Sequence, residues 1–405
     1  METSKFFMKE ILGALVIILT AHIFLSACAS TSTGRTFEQR TVGLYVNGTD
    51  LYKREKYVQA IYLLKQAIDF NPEFSEAYYV LGLTYIRTKQ YYEAIDRLKK
   101  ADSLQQTLEE PAFDDADIKF NIGLAYLGLE NYREALNHLS ESVTLRPGFA
   151  EAHYNLAYVT EKMDNKTAAI THLEDAIKAD STMDKALVAV GVIYKNKGEF
   201  DSAQESFEKA IKINKENKSA YNELGKLYKK KGQLGTAARY FRRAIQIDDL
   251  YSEAYLNLGS VYVDDDNLDK ALSTFKKVIN IDSTLPEGYM NLAQVNYLMG
   301  DTLSALQNYK KVLVFEPERQ LVNYQVALIL EQQGNVQGSI EAYKREIAIN
   351  SEHAFSHFNL AVLLHRTGKL EEALTEYKNY VALVPDDDER AQKVRSILSQ
   401  LEELN

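Results

Sequence analysis

The 405-residue sequence contains no tryptophan, one cysteine and only 6 prolines. A lone cysteine, Cys28, rules out an internal disulfide, so the fold owes nothing to cross-links. Scarce proline leaves few interruptions to helices. Positive charge is in deficit: the formal net charge is −10, the opposite of what a general nucleic-acid binder carries, so no nucleic-acid partner is expected. A bilayer-spanning helix needs roughly 20 apolar residues. The longest such run, Ile11 to Leu25, is fifteen residues and is interrupted by Thr20 and His22. What the chain has instead is 27 Tyr, abundant Ala and 26% charged residues, a composition suited to helices.

Lys5 and Lys9 precede the apolar run, although Glu2 and Glu10 dilute the basic start, and the run ends in Leu25-Ser26-Ala27-Cys28. A basic start, a short apolar centre and small residues at the exit make a secretory signal. The four final residues resemble the lipobox of bacterial lipoproteins. The resemblance implies that residues 1–27 are removed and that Cys28 carries lipid, placing the chain on a membrane of the bacterial cell envelope, periplasm-facing on the outer membrane in a Gram-negative source. Buried acyl chains supply about 0.8 kcal/mol per methylene. An ordinary signal peptide or an uncleaved anchor remains the alternative. Residues 28–40, rich in Ser and Thr at their start, read as a tether.

The rest of the sequence repeats. A small residue recurs at Gly48, Gly82, Gly123, Ala157, Gly191, Gly225, Gly259, Ala293, Ala327 and Ala361, at steps of 34 residues except for one of 41. Twelve places on lie Ala60, Ala94, Ala135, Ala169, Ala203, Ala237, Ala271, Ala305, Ser339 and Ala373. Four further on is a bulky residue: Leu64, Leu98, Leu139, Leu173, Phe207, Phe241, Phe275, Tyr309, Tyr343 or Tyr377. With Leu224-Gly225, Tyr228, Ala237, Phe241 and Ala244 as the fullest unit, and Pro72, Pro147, Pro317 and Pro385 near repeat ends, the pattern resembles the tetratricopeptide repeat. The family's Trp is replaced by Tyr78, Tyr221, Tyr255 and Tyr289 in four units.

The resemblance implies an all-α, right-handed superhelical solenoid of about ten helical hairpins. Repeats 1–2 occupy 41–108, an acidic insertion 109–115, repeats 3–10 116–387, and a capping helix 388–405, leaving no residues for a catalytic domain. Small residues let the two helices of a hairpin approach, while the bulky residue fills the space toward the next repeat. Each hairpin leaves an apolar face that only stacking covers.

First helices line the inner surface of such arrays. Two places before each anchor stand Asn121, Asn155, Asn257, Asn291 and Asn359, with Gln325 among them; Ala189 and Glu223 interrupt the row. An amide donates and accepts at once, so such a row can hold an extended peptide by its backbone. It resembles the asparagine ladder of O-linked N-acetylglucosamine transferases, and the alternative is a purely structural tie between helices. Residues 184–251 hold 14 Lys and Arg against 9 Asp and Glu. Lys185, Lys195, Lys226, Lys229 and Lys230 project toward the groove by register, between acidic rims containing Glu76, Asp117, Glu151, Glu253 and Glu287. That alternation suits a polar or acidic ligand, or is simply a solvated face. Tyr45, Tyr79, Phe120, Tyr154, Tyr324 and Phe358 are apolar groove candidates that inter-repeat packing explains equally well. They occupy the place where chaperone-binding clamps need Lys, which excludes that mode.

Chemistry-bearing motifs are missing. His353 and His357 lie four apart without the Glu of a zinc-protease helix and read as surface polar residues. Asp264 to Asp269 lacks the spacing of a calcium loop and falls in an interhelical turn. No cofactor or metal is called for, and no enzyme activity. Two functions stay open: a lipid-tethered scaffold binding folded partners, or a subunit presenting extended polypeptide to a separate modifying enzyme.

Overall fold

The computed structural model describes residues 32–385 and 387–403. Cys28 and the apolar run before it lie outside these residues. Every regular element described is a helix. No helix among the described residues is long and apolar enough to cross a membrane.

Two compact units divide between Ile213 and Asn214. The first contains five hairpins: α1 (Ser32–Lys53) with α2 (Tyr57–Phe70), α3 (Ser75–Arg87) with α4 (Tyr91–Gln105), α5 (Asp115–Gly128) with α6 (Tyr132–Leu145), α7 (Ala150–Lys162) with α8 (Lys166–Ala179), and α9 (Asp184–Lys197) with α10 (Phe200–Ile213). The second contains α11 (Lys218–Lys230) with α12 (Leu234–Ile247), α13 (Ser252–Asp264) with α14 (Leu268–Ile281), α15 (Pro286–Leu298) with α16 (Thr302–Phe315), α17 (Val322–Gln332) with α18 (Val336–Ile349), and α19 (Ala354–Arg366) with α20 (Leu370–Leu383). A last helix, α21 (Glu389–Glu403), follows.

The hairpins close where the repeat places its small residues. In six repeats the first-helix anchor is Gly, and a Cβ there would lie 2.4–2.9 Å from the bulky side chain of the second helix. At Gly259 the nearest atom is Cε1 of Phe275, at 2.4 Å. Phe275 is fully buried, belonging to a cluster with Leu292 and Val295 of the following repeat. One ring therefore serves two junctions, at about 1.5–3 kcal/mol for a fully buried large side chain. Ser339, the one departure from Ala at its position, is buried and donates its hydroxyl to the Ala327 carbonyl at 2.9 Å.

All ten interhelical turns place one residue in the left-handed region at the same register. Gly198, Gly232, Gly300, Gly334 and Gly368 do so, and Glu55, Lys89, Glu130, Asp164 and Asp266 adopt it without being glycine. Asp266 and Asn267 thus belong to an ordinary turn, and Asn267 caps α14 by accepting from the Lys270 N–H. The Asp-rich stretch is turn chemistry, as its register suggested.

Two boundaries differ from the sequence reading, at the tether and at repeat 9. The stretch assigned to a tether, 28–40, is helical from Ser32. Phe37 meets Phe70 edge-on at 5.2 Å, and the Arg40 guanidinium sits 4.9 Å from the same ring, so this extension docks on the end of α2. The acidic insertion is a loop pinned by the buried Gln105, which accepts from the Phe113 N–H at 3.0 Å and donates to Asp115. Repeat 9 loses the first turn of its first helix. Leu321 turns left-handed (φ 68°), and the fully buried Glu346 carboxylate accepts from its N–H at 2.6 Å. An anion there offsets the helix N-terminal donors that the lost turn leaves unpaired.

The C-terminal helix caps as expected. Asp388 accepts from the Ala391 N–H at 2.7 Å and from the Tyr380 hydroxyl at 3.1 Å, while Ala391 and Val394 are buried.

Helix propensity favours Ala over Gly by about 1 kcal/mol. Overpacking costs about 1–3 kcal/mol. Gly259→Ala is therefore expected to lower stability by about 1–2 kcal/mol, whereas Gly43→Ala, with nothing within 4 Å of its added Cβ, raises it by up to about 1 kcal/mol. Urea denaturation of the two variants checks the opposite signs.

Candidate functional site

Within each unit the first helices of successive repeats approach one another: α1 and α3, α3 and α5, α5 and α7, then α11 and α13, α13 and α15. Successive second helices do not pack together to the same extent. The first helices therefore line the tighter, inner side, where the amide row was expected.

In three repeats the amide is held by its own helix. Asn121, Asn155 and Asn291 each donate one Nδ2 hydrogen to the carbonyl four residues back, at 2.7, 2.7 and 2.8 Å. All three are half-buried. That bond fixes the side chain, and Asn121 makes a further 3.2 Å contact with the Tyr79 hydroxyl. Asn359 instead donates to Tyr343 Oη at 3.2 Å. Gln325 is half-buried on α17 between them. The second unit thus carries Asn257, Asn291, Gln325 and Asn359 in four consecutive repeats, and the first carries Asn121 and Asn155.

Asn257 differs, because it donates to Asn222 Oδ1 at 3.0 Å. Asn222 in turn donates to Glu253 Oε1 at 3.1 Å. Lys226 joins Glu223 at 2.7 Å and Glu253 at 2.5 Å, and the Tyr251 hydroxyl donates to Glu253 at 3.1 Å. One turn on, Lys229 pairs with Asp264 at 3.1 Å and with the Ser260 hydroxyl. Of the five lysines read as a basic centre, Lys226 and Lys229 are therefore neutralised in place; Lys230 lies exposed at the end of α11 and Lys195 half-buried near the end of α9. Lys185 rests 4.7 Å from the Tyr154 ring in the first unit.

Burial opposes the Lys226 charge, but its hydrogen bonds to Glu223 and Glu253 outweigh that cost and hold its pKa above the ordinary lysine value. Burial likewise raises Glu253, yet Lys226 more than compensates and the carboxyl lies below its ordinary value. Burial, reinforced by Glu253, pushes the Tyr251 hydroxyl up to about 12.

Four of the six aromatic candidates, Tyr45, Tyr79, Phe120 and Tyr324, are junction residues. Tyr45 packs on Phe74 (4.9 Å), Tyr79 stacks on Phe113 (4.4 Å) and Phe120 meets Phe149 (4.8 Å). Tyr324 meets His353 edge-on at 4.8 Å, and Phe358 packs on Tyr380 at 5.2 Å. In the first four pairs the partner sits just before the next repeat, so the rings close the inter-repeat seam. His357, read as a surface residue, is instead buried and lies between Glu376 (2.5 Å) and the Ser351 carbonyl (3.0 Å). Its partners come from a second helix and a turn, which an i, i+4 pattern does not reveal. Sequence reasoning also missed Arg146, which engages Asp117 through both Nη atoms at 3.0 and 2.8 Å and reaches Asp114.

Glu253 provides a pH test. Its folded-state pKa is below the ordinary 4.5, so its contribution is complete above that value and disappears as pH falls through the folded pKa. Glu253→Gln should cost about 1 kcal/mol or less at pH 7, the pair being half-exposed. The gap to the unaltered chain should narrow progressively as pH falls below 4.5, as read by urea denaturation across that range.

A model described as TPR repeat matches residues 48–89 and 191–232. Two models described as tetratricopeptide repeat match residues 120–184 and 327–388, and residues 75–107, 219–249 and 252–285. No curated protein sequence matches the chain. Among solved structures, the crystal structure of MamA is 25% identical over 42% of this chain and 94% of its own, with a TM-score of 0.38. PilW, titled a widely conserved type IV pilus biogenesis factor, is 23% identical over 53% and 98%, with a TM-score of 0.47. Yeast Tom70 is 13% identical over 91% and 96%, with a TM-score of 0.44. The sequence models, together with ten hairpins in register, carry the assignment: the chain belongs to the tetratricopeptide repeat family, whose repeats are protein-interaction modules.

Proposed function

We propose that this chain is a non-enzymatic scaffold of the bacterial cell envelope, anchored through lipid on Cys28, whose inner first-helix surface holds partner proteins through extended segments. The observation that carries the binding reading is the row of amides. Asn121, Asn155 and Asn291 are each fixed by one hydrogen bond to their own helix. A fixed donor–acceptor pair loses less side-chain freedom on binding, which favours capture of a peptide backbone. Glu223 and Lys226, tied to one another and to Glu253, are engaged at the place where the row is interrupted. A partner segment accordingly meets amides on α13, α15, α17 and α19 in the second unit, and on α5 and α7 in the first.

The anchor rests on Leu25-Ser26-Ala27-Cys28 following the apolar run.

Two measurements test these parts separately. Cross-linking in cells followed by membrane fractionation should find the unaltered chain in membranes and Cys28→Ala in the soluble fraction; unchanged retention refutes the lipid. Asn291→Ala combined with Asn359→Ala should weaken partner capture roughly tenfold, at about 0.5–1.5 kcal/mol per hydrogen bond. Equal capture makes the amides structural. A single stoichiometric folded partner fits the scaffold, whereas capture of many unrelated extended chains would replace it with the substrate-presenting reading.

A further inference from the structure

Repeat 4 contains a cluster that neither packing nor the groove explains. His153 on α7 is buried, and its Nε2 lies 3.0 Å from the Pro147 carbonyl. A carbonyl only accepts, so Nε2 carries the hydrogen and Nδ1 of the neutral ring presents a lone pair. That Nδ1 is buried and has no hydrogen-bond partner. On α8, His172 likewise has a buried Nδ1 without a partner. Asp175, three residues on and on the same helix face, brings a carboxylate oxygen 3.9 Å from His153 Nδ1. One ligand atom from each of the three residues lies within 4.8 Å of the others.

The same three places are filled differently in repeats 3 and 10. Repeat 3 has Lys119, His138 and Glu141 there, and the Lys119 ammonium lies 2.9 Å from Asp102 and 3.4 Å from Glu141. Repeat 10 has His357, Glu376 and Asn379, and His357 bonds directly to Glu376 at 2.5 Å. Each of these repeats supplies a donor for its carboxylate. Repeat 4 supplies two imidazole lone pairs and a carboxylate, all of them electron-pair donors.

We infer that repeat 4 binds a divalent transition-metal ion, best matched by zinc, through His153, His172 and Asp175. Two imidazoles and a carboxylate suit a borderline cation, and three protein ligands leave a fourth position for water or a partner's side chain. The Pro147 carbonyl supplies the outer hydrogen bond that fixes a ligating imidazole. Tetrahedral coordination at zinc–ligand distances of roughly 2.0–2.2 Å needs ligand atoms about 3.3 Å apart. The ligand atoms therefore close by up to about 1.5 Å from their present 4.8 Å spread, and the Asp175 side chain, 46% exposed, gives the ion a way in. Joining α7 to α8, the ion pins one hairpin in the first unit.

The test uses the full chain stripped by chelator and titrated with Zn²⁺ by calorimetry and with Co²⁺ by absorption spectroscopy. One equivalent should bind, Co²⁺ should give the intense visible bands of a tetrahedral site, and the unfolding temperature should rise. His172→Ala and Asp175→Asn should each weaken binding by at least about tenfold with helical circular dichroism unchanged, while His353→Ala leaves it intact. Asp175→Asn alters an exposed side chain and so decides the matter should His172→Ala fail to fold. No uptake by the unaltered chain, undiminished binding by Asp175→Asn, or loss that follows His353→Ala instead would overturn the assignment.

Discussion

Everything in this molecule depends on how closely the two helices of a hairpin approach. Glycine at an anchor such as Gly225 admits the Phe241 ring to where a Cβ would stand, 2.5 Å from Cε1. The ring then faces the next repeat, in a cluster with Leu258 and Val261. Because the same contact makes the hairpin and prepares its neighbour's seat, stability passes from repeat to repeat through nearest neighbours. Where the anchor is Ala, as at Ala293, Ala327 and Ala361, the residue opposite is Tyr309, Tyr343 or Tyr377, each buried.

Around that constant spine the variable positions carry the individuality of each repeat. The inner row of amides is held in place by i−4 carbonyls in repeats 3, 4 and 8 and diverted into an ion network at repeat 7. Two lysines that appear in the sequence as a surplus of charge find Glu223 on their own helix and Glu253 and Asp264 on the next repeat's first helix. Net charge along a stretch therefore says little about the field a ligand meets, since half-buried partners cancel it locally. The same three positions, read across repeats 3, 4 and 10, shift from an ammonium pair to a set of lone-pair donors to a histidine–carboxylate bond. Small substitutions on a fixed backbone change the chemistry completely.

The sequence alone determined the number of hairpins, their register and their interhelical turns, because each depends on contacts at constant spacing that recur ten times. Five in-register glycines at the turns were a further legible signal, one that the left-handed backbone now explains. Tertiary structure alone decided the rest, because those features join residues with no fixed spacing or make use of an exception. Glu346 replaces a missing helical turn at Leu321. Phe37 and Arg40 turn an apparent tether into helix by reaching Phe70. Four aromatic groove candidates became seams once their partners before the next repeat were seen, and His153 met His172 only because antiparallel packing of α7 and α8 brings together residues nineteen apart.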